Sequence, residues 1–225
     1  MGEISLRRRL EPTLQVEVYE AKLGDEFLMS SLFTVSEIAL AEISLAGIAG
    51  ADLDVVVGGL GLGYTAHAVL SDPRVRSLRV IEALGEVIGW HQRGLLPMSE
   101  GLNSDQRCNL VEGDFFAMVA AGSRFGVDAP DRYDAILVDI DHTPQHLLHP
   151  SHAPFYEPEG QRRLADRLNP GGVYALWSDD PPDEGYIAAV ESVFASCQAH
   201  VVTFPNPLTR GEAASTVYVA TVDHG

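Results

Sequence analysis

The residues with the clearest capacity for chemistry form one ordered set. Asp54-Val55-Val56-Val57 runs into Gly58, Gly59, Gly61 and Gly63, and Arg79-Val80-Ile81 then delivers Glu82. Further on, Asn109-Leu110-Val111-Glu112-Gly113 leads to Asp114 and Phe115, and Tyr133 to Val138 leads to Asp139, with Asp141 and His142 just beyond. Glycines let a backbone approach a ligand closely, and a carboxylate ending the next strand grips a ribose diol. The set therefore predicts a nucleoside-bearing ligand. A glycine turn alone also fits a helix cap or close helix packing. The later acids favour a site, because open parallel sheets bind ligands outside the carboxyl ends of their strands.

The elements that must position these residues can be read from periodicity. Leu14 to Glu20 alternates apolar and polar residues, Gly24-Asp25-Glu26 marks a turn and Phe27-Leu28-Met29 starts a return strand, which predicts a short hairpin. From Thr34 the apolar spacing is helical, with Thr34 or Ser36 as cap and Gly47 or Gly50 near the end. Strands are expected near 53–58, 77–82, 108–112, 134–139 and 172–177, and helices near 62–70, 85–93, 115–121, 158–168 and 184–196. Two last strands near 199–204 and 215–221 suggest an antiparallel hairpin at one sheet edge. Such alternation predicts a doubly wound α/β fold, a mostly parallel seven-stranded sheet with helices on both faces. The expected division is residues 1–50, a hairpin and helix, and residues 51–225, the nucleoside-binding domain.

Composition narrows the function. The 225 residues are 46% hydrophobic, enough for one substantial core, and no Pro- or Ser/Gly-rich linker divides them. A formal charge of −17 repels nucleic acid and anionic membranes and attracts cationic small molecules such as amines, although acidic surfaces also serve solubility. Two cysteines, Cys108 and Cys197, offer no disulfide framework or cysteine-rich metal site, which suits the cytosol. The start, Met1 to Arg9, lacks a signal-peptide core, and Leu6 stands where a myristoylation motif wants Ser or Thr. No apolar run reaches transmembrane length, Leu53 to Leu62 being broken by glycine.

Val80 to Ile88, Glu112-Gly113-Asp114-Phe115-Phe116, Tyr133 to Asp139 and Leu168-Asn169-Pro170-Gly171-Gly172-Val173 together resemble the spermidine synthases, the polyamine aminopropyltransferases, over roughly residues 53–180. The resemblance implies a Rossmann-like, methyltransferase-type fold and decarboxylated S-adenosylmethionine as co-substrate. It gives Glu82 the ribose hydroxyls, Asp114 the adenine amino group and Asp139 the attacking amine. Asp139 has a plainer reading as a cap for the loop that follows. The chain also departs from the family. The glycine-loop aspartate that binds the aminopropyl ammonium is Gly61 here, His142 stands in place of a second aspartate, and Val35 or Ser36 falls where a tyrosine is expected.

These departures keep several functions open. Aminopropyl transfer to a small, cationic amine is the first expectation, with Asp139, Asp141 and His142 as catalytic candidates. Glycine at 61 removes a charge that would repel an α-carboxylate, so intact S-adenosylmethionine and methyl transfer are admissible. A catalytically silent nucleoside-binding or assembly protein is the third reading. Gly58, Gly59, Gly61, Gly63, Glu82, Asp114 and Phe115 are the expected nucleoside contacts; no metal is expected, and a homodimer is admissible. Asp141 to His152 holds a cluster of histidines. Residues 142, 146 and 149 would share a face for a metal if helical, but Pro144 and Pro150 oppose a helix, leaving a lid or a solvated loop.

Overall fold

β-Branched runs and amphipathic segments alternate along this chain, and in its computed structural model they close into one twisted sheet sandwiched by helices, with a small second sheet before it. Residues 3–24 and 26–223 are described. Asp25, the centre of the expected Gly24-Asp25-Glu26 turn, and Met1 and Gly2 lie outside them.

The leading sheet has three antiparallel strands, β1 (Ile4–Glu11), β2 (Val16–Leu23) and β3 (Glu26–Ser30), where the sequence suggested a two-stranded hairpin. β1 is the unanticipated strand. Its arginines hide the alternation of Ile4 and Leu6, and they are matched across the ladder: Arg8 pairs with Glu17, and Arg9 with Glu20 at 2.7 Å. Helix α1 (Val35–Ala46) follows, starting after Thr34 and ending at Gly47 as its pattern predicts.

Then come β4 (Leu53–Gly58), α2 (Tyr64–Ser71), β5 (Val75–Glu82), α3 (Gly85–Gln92), α4 (Ser99–Ser104), β6 (Cys108–Glu112), α5 (Phe115–Ala120) and β7 (Tyr133–Val138). The chain continues through α6 (Ala153–Tyr156), α7 (Pro158–Ala165), β8 (Leu168–Ser178), α8 (Glu184–Glu191), β9 (Ser196–Asn206) and β10 (Gly211–Thr221). Helix α4 was not expected, and β8 begins four residues early because Leu168 already pairs with Tyr133 before the register jumps to Ala135 and Val173.

The strand order is β6-β5-β4-β7-β8-β10-β9. Neighbouring strands from β6 to β8 pair in parallel, and β10 runs antiparallel to β8 and β9. This is the doubly wound, seven-stranded, methyltransferase-type sheet with its late antiparallel hairpin. Every residue of β4 is buried because helices cover both faces: Val55 and Val57 pack with Leu40, Ala66 and Val69, while Val56 packs with Ile136, Phe115 and Tyr174. The order reverses between β4 and β7, so their connections diverge and leave a crevice at the strands' carboxyl ends. Among the described residues, no helix is long and apolar enough to cross a membrane.

Candidate functional site

The glycine loop opens at this crevice. Gly59, Gly61 and Gly63 all have positive φ, +95°, +48° and +89°, and a Cβ at Gly59 would lie 2.1 Å from the carbonyl oxygen of Asp139. Only glycine allows that contact between the loop and the end of β7. The loop is held from behind by His91, which is fully buried and meets the Gly61 carbonyl through Nε2 at 2.9 Å. Burial lowers the His91 pKa, so the ring is neutral and donates from Nε2. Its helix, α3, turns the side chain inward.

Glu82 ends β5 beside the loop. Its Oε2 accepts from the Leu60 amide at 3.0 Å and its Oε1 from the Leu84 amide at 2.8 Å, which fixes the carboxylate and leaves lone pairs on both oxygens. Burial raises its pKa, and the Leu84 and Leu60 amides oppose that rise. Asp114 caps α5: Oδ1 takes the Ala117 amide at 3.0 Å, and the side chain is exposed. Phe115 is 2% exposed, its ring against Gly58 and stacked on Phe125, so it is committed to the core beneath the crevice.

Asp139 lies just past β7. Its Oδ2 accepts from the Thr65 hydroxyl at 2.7 Å, and the same hydroxyl lies 3.3 Å from the Glu37 carbonyl oxygen. The first turns of α1 and α2 thus converge on Asp139. Glu37 is the residue that sequence reasoning missed. Burial first, and the Asp139 charge second, push its carboxyl up to about 8; burial also raises Asp139, against the Thr65 hydrogen bond. Burial and mutual repulsion thus both favour the protonated form at this pair of acids. Asp179, exposed after β8, adds to the negative field at Glu37. Thr34-Val35-Ser36-Glu37 has the spacing of a capping box, which makes the acid look structural, yet Thr34 makes no side-chain cap and Glu37 Oε2 accepts from Ser36 Oγ at 3.0 Å.

The remaining candidates part company here. Asp141 is 1% exposed and accepts from Leu148, His152 and Tyr156. The His142 carbonyl accepts from the Asp179 amide at 2.8 Å, and its ring lies 5.0 Å from that of His146. The 142–149 stretch is not helical. His149 instead bonds Ser151, and among the described residues no three His, Cys, Asp or Glu side chains gather as metal ligands.

Two open cavities flank the crevice rather than fill it. One, of about 800 Å³, is lined by Glu3, Ile4, Ala83, Leu84, Gly85, Glu86 and Glu112; the other, of about 570 Å³, runs from Asp114 and Phe116 to Ser151 and Arg163. Glu82 and Asp139 line neither. Along the carboxyl edge of the sheet the glycine loop after β4, the held Glu82 carboxylate ending β5 and the exposed Asp114 carboxylate after β6 stand in that order.

No protein-family model matches this chain. Its structure is similar to the crystal structure of spermidine synthase from Thermotoga maritima, with a TM-score of 0.72 and 18% identity over 98% of this chain and 69% of that one. The chain has the fold of the spermidine synthases. A spermidine synthase structure in complex with the transition-state analogue AdoDATO gives a TM-score of 0.71 at 18% identity, covering 98% and 68% of the two chains. Human methyltransferase-like protein 13, in complex with SAH, gives 0.58 at 18% identity over 84% of this chain and 80% of that one. The fold is thus shared with spermidine synthases and with a methyltransferase-like protein.

Proposed function

We propose that this protein binds an S-adenosylmethionine-type nucleoside and transfers an alkyl group from it to a small, cationic amine, with aminopropyl transfer as the leading reaction. The observation that carries the reading is the Glu37–Asp139 pair, set beside the glycine loop at the end of β7. An amine arrives protonated at neutral pH and must lose a proton before it can attack. Asp139, with Thr65 fixing its orientation, binds the ammonium and takes the proton. The nitrogen lone pair then forms the new N–C bond. When bound, an adenosyl sulfonium supplies the electrophilic carbon, and the S–C electrons leave on a neutral thioether.

Glu82 is assigned the ribose hydroxyls and Asp114 the base. Gly58 to Gly63 supply a backbone surface rather than side chains. Trp177, near the end of β8, has a buried indole N–H with no hydrogen-bond partner among the described residues, a donor suited to a bound group on the α1 side of the sheet.

Methyl transfer is the second reading, favoured by one contact. A Cβ at Gly61 would lie 2.9 Å from Met29 Sδ, so β3 brings an apolar thioether to the place where an acid at 61 would project. No carboxylate on the loop anchors a terminal ammonium, and intact S-adenosylmethionine fits. A thermal-shift panel with methylthioadenosine, S-adenosylhomocysteine, intact and decarboxylated S-adenosylmethionine, and NAD tests the reading, because a ligand selective for the folded state raises its stability by mass action. The adenosyl thioethers should raise Tm and NAD should not; a shift with NAD alone, or with none of the five, would overturn it.

A further inference from the structure

Trp177 carries a polar atom of the crevice that the transfer step leaves unused. Val138 of β7 pairs with Leu176 of β8, and both side chains lie on the face of the sheet away from α1. Asp139 and Trp177 are the next residues on these parallel neighbours, so the pleat turns both toward α1, on strands about 5 Å apart. Trp177 accordingly packs in the α1-side core, with Val217 of β10 beside it. Thr65 on α2 and Glu37 at the start of α1 approach Asp139 from that same side. Just beyond, the Asp179 amide donates to the His142 carbonyl at 2.8 Å, which fastens the two strand ends together. Trp177 Nε1 is sealed from solvent, and no described residue accepts its hydrogen. An indole N–H can only donate, and a buried donor left unmade is costly. The fold thus sets an unmade donor beside the carboxylate that receives the amine.

Resting on the amine-transfer reading above, we propose that the acceptor substrate is an amino alcohol, whose ammonium goes to Asp139 and whose oxygen accepts from Trp177 Nε1. Charge and donor count separate three groups that a short amine could carry at its far end. A second ammonium offers only hydrogens and sets donor against donor. A carboxylate would accept the indole hydrogen, but it would enter the field of Asp139 and Asp179, which already acts on Glu37 to favour its neutral form. A hydroxyl accepts the indole hydrogen without adding charge, and its own hydrogen remains for a neighbouring carboxyl oxygen. Trp177 is then a specificity-determining residue, because a site built around a buried donor rejects the analogue that leaves it unpaired.

Calorimetry on the protein saturated with methylthioadenosine tests the assignment without any turnover, using 3-aminopropan-1-ol, 1,3-diaminopropane and β-alanine, amines of one chain length. The wild type should bind the amino alcohol about tenfold or more tightly than either of the others. Trp177→Phe keeps an aromatic ring and removes the N–H. In that variant the preference over the diamine should fall to within about threefold, through weaker binding of the amino alcohol alone. A wild type that favours the diamine or β-alanine, or treats the three alike, overturns the inference while leaving the amine reading intact, and so does an unchanged ratio in the variant. Failure of the wild type to bind any of the three overturns the amine reading itself, and this inference with it. Should the variant not fold, the indole ¹H–¹⁵N signals of the wild type decide, Trp177 being one of two tryptophans in the chain. The amino alcohol must move an indole signal that 1,3-diaminopropane leaves in place; two unmoved signals, or the same shift with both amines, overturn the inference.

Discussion

The Thr65 hydroxyl donates to Asp139 Oδ2 at 2.7 Å, tying the first turn of α2 to the carboxyl end of β7. That bond leaves Oδ1 of Asp139 for an incoming group while Glu37 shares the proton load from α1. Asp139→Asn keeps the shape and removes charge and basicity. With an amine acceptor, turnover should fall by about 10²–10⁴. Methylthioadenosine affinity, read by calorimetry, should change little. Full activity in this variant would remove Asp139 from the catalytic role.

Glu37 makes stability depend on pH. Its folded pKa is raised from 4.5 to about 8, so across that window the folded chain holds a proton that the unfolded chain has lost. Stability is therefore unpenalised below the unfolded value and declines as pH rises through the folded one. Glu37→Gln cannot ionise and escapes the penalty. Its Tm should exceed that of wild type by ~2–6 °C at pH 9 and nearly match it at pH 4. Equal melting curves at both pH values would show that Glu37 is not desolvated against Asp139.

Glu82 offers both carboxylate oxygens beside the loop. Glu82→Ala should weaken methylthioadenosine binding by about 1.5–3 kcal/mol, the loss of charge-assisted hydrogen bonds to a diol. A deoxy analogue lacking the 2′-hydroxyl should lose affinity with wild type and show little further loss with the variant. Unchanged binding in Glu82→Ala would take the ribose elsewhere.

Met29 against Gly61 sets the expected choice of co-substrate. Wild type should bind intact S-adenosylmethionine at least as well as the decarboxylated form. Gly61→Asp places a carboxylate at a φ of +48°, a left-handed position that Asp tolerates, against a thioether side chain able to move aside. That variant should shift the affinity ratio toward the decarboxylated compound by about tenfold. A wild type already strongly selective for the decarboxylated compound would point to another acid, Asp179 being the nearest candidate in the field of Glu37.

The His91–Gly61 bond predicts a coupling between core and loop. His91→Phe fills the buried space but leaves the Gly61 carbonyl without its donor, at a cost of about 1–3 kcal/mol to stability. Affinity for methylthioadenosine should fall as the loop loses its fixed shape. A variant with lower Tm and wild-type affinity would confine His91 to packing.

The sequence by itself determined the alternation of strands and helices, the glycine turn after β4 and the acids that end β5 and β7. These are local signals: a period of two or 3.6 residues, a glycine where the backbone must turn, an acid at a strand's carboxyl end. It did not reveal β1, whose arginines mask the alternation, or the short helix α4, a six-residue segment that packs on α3 and α2. The tertiary structure alone decided how the polar residues pair. The Glu37 carbonyl and the Asp139 side chain meet at the Thr65 hydroxyl because α1 packs on α2, and no spacing between them encodes that. Asp141 and His142 looked interchangeable beside Asp139, but the loop turns Asp141 inward, where a buried carboxylate must gather donors and finds Leu148, His152 and Tyr156. Desolvation and hydrogen-bond satisfaction are properties of the packed chain, so the assignment of each acid waited on the fold.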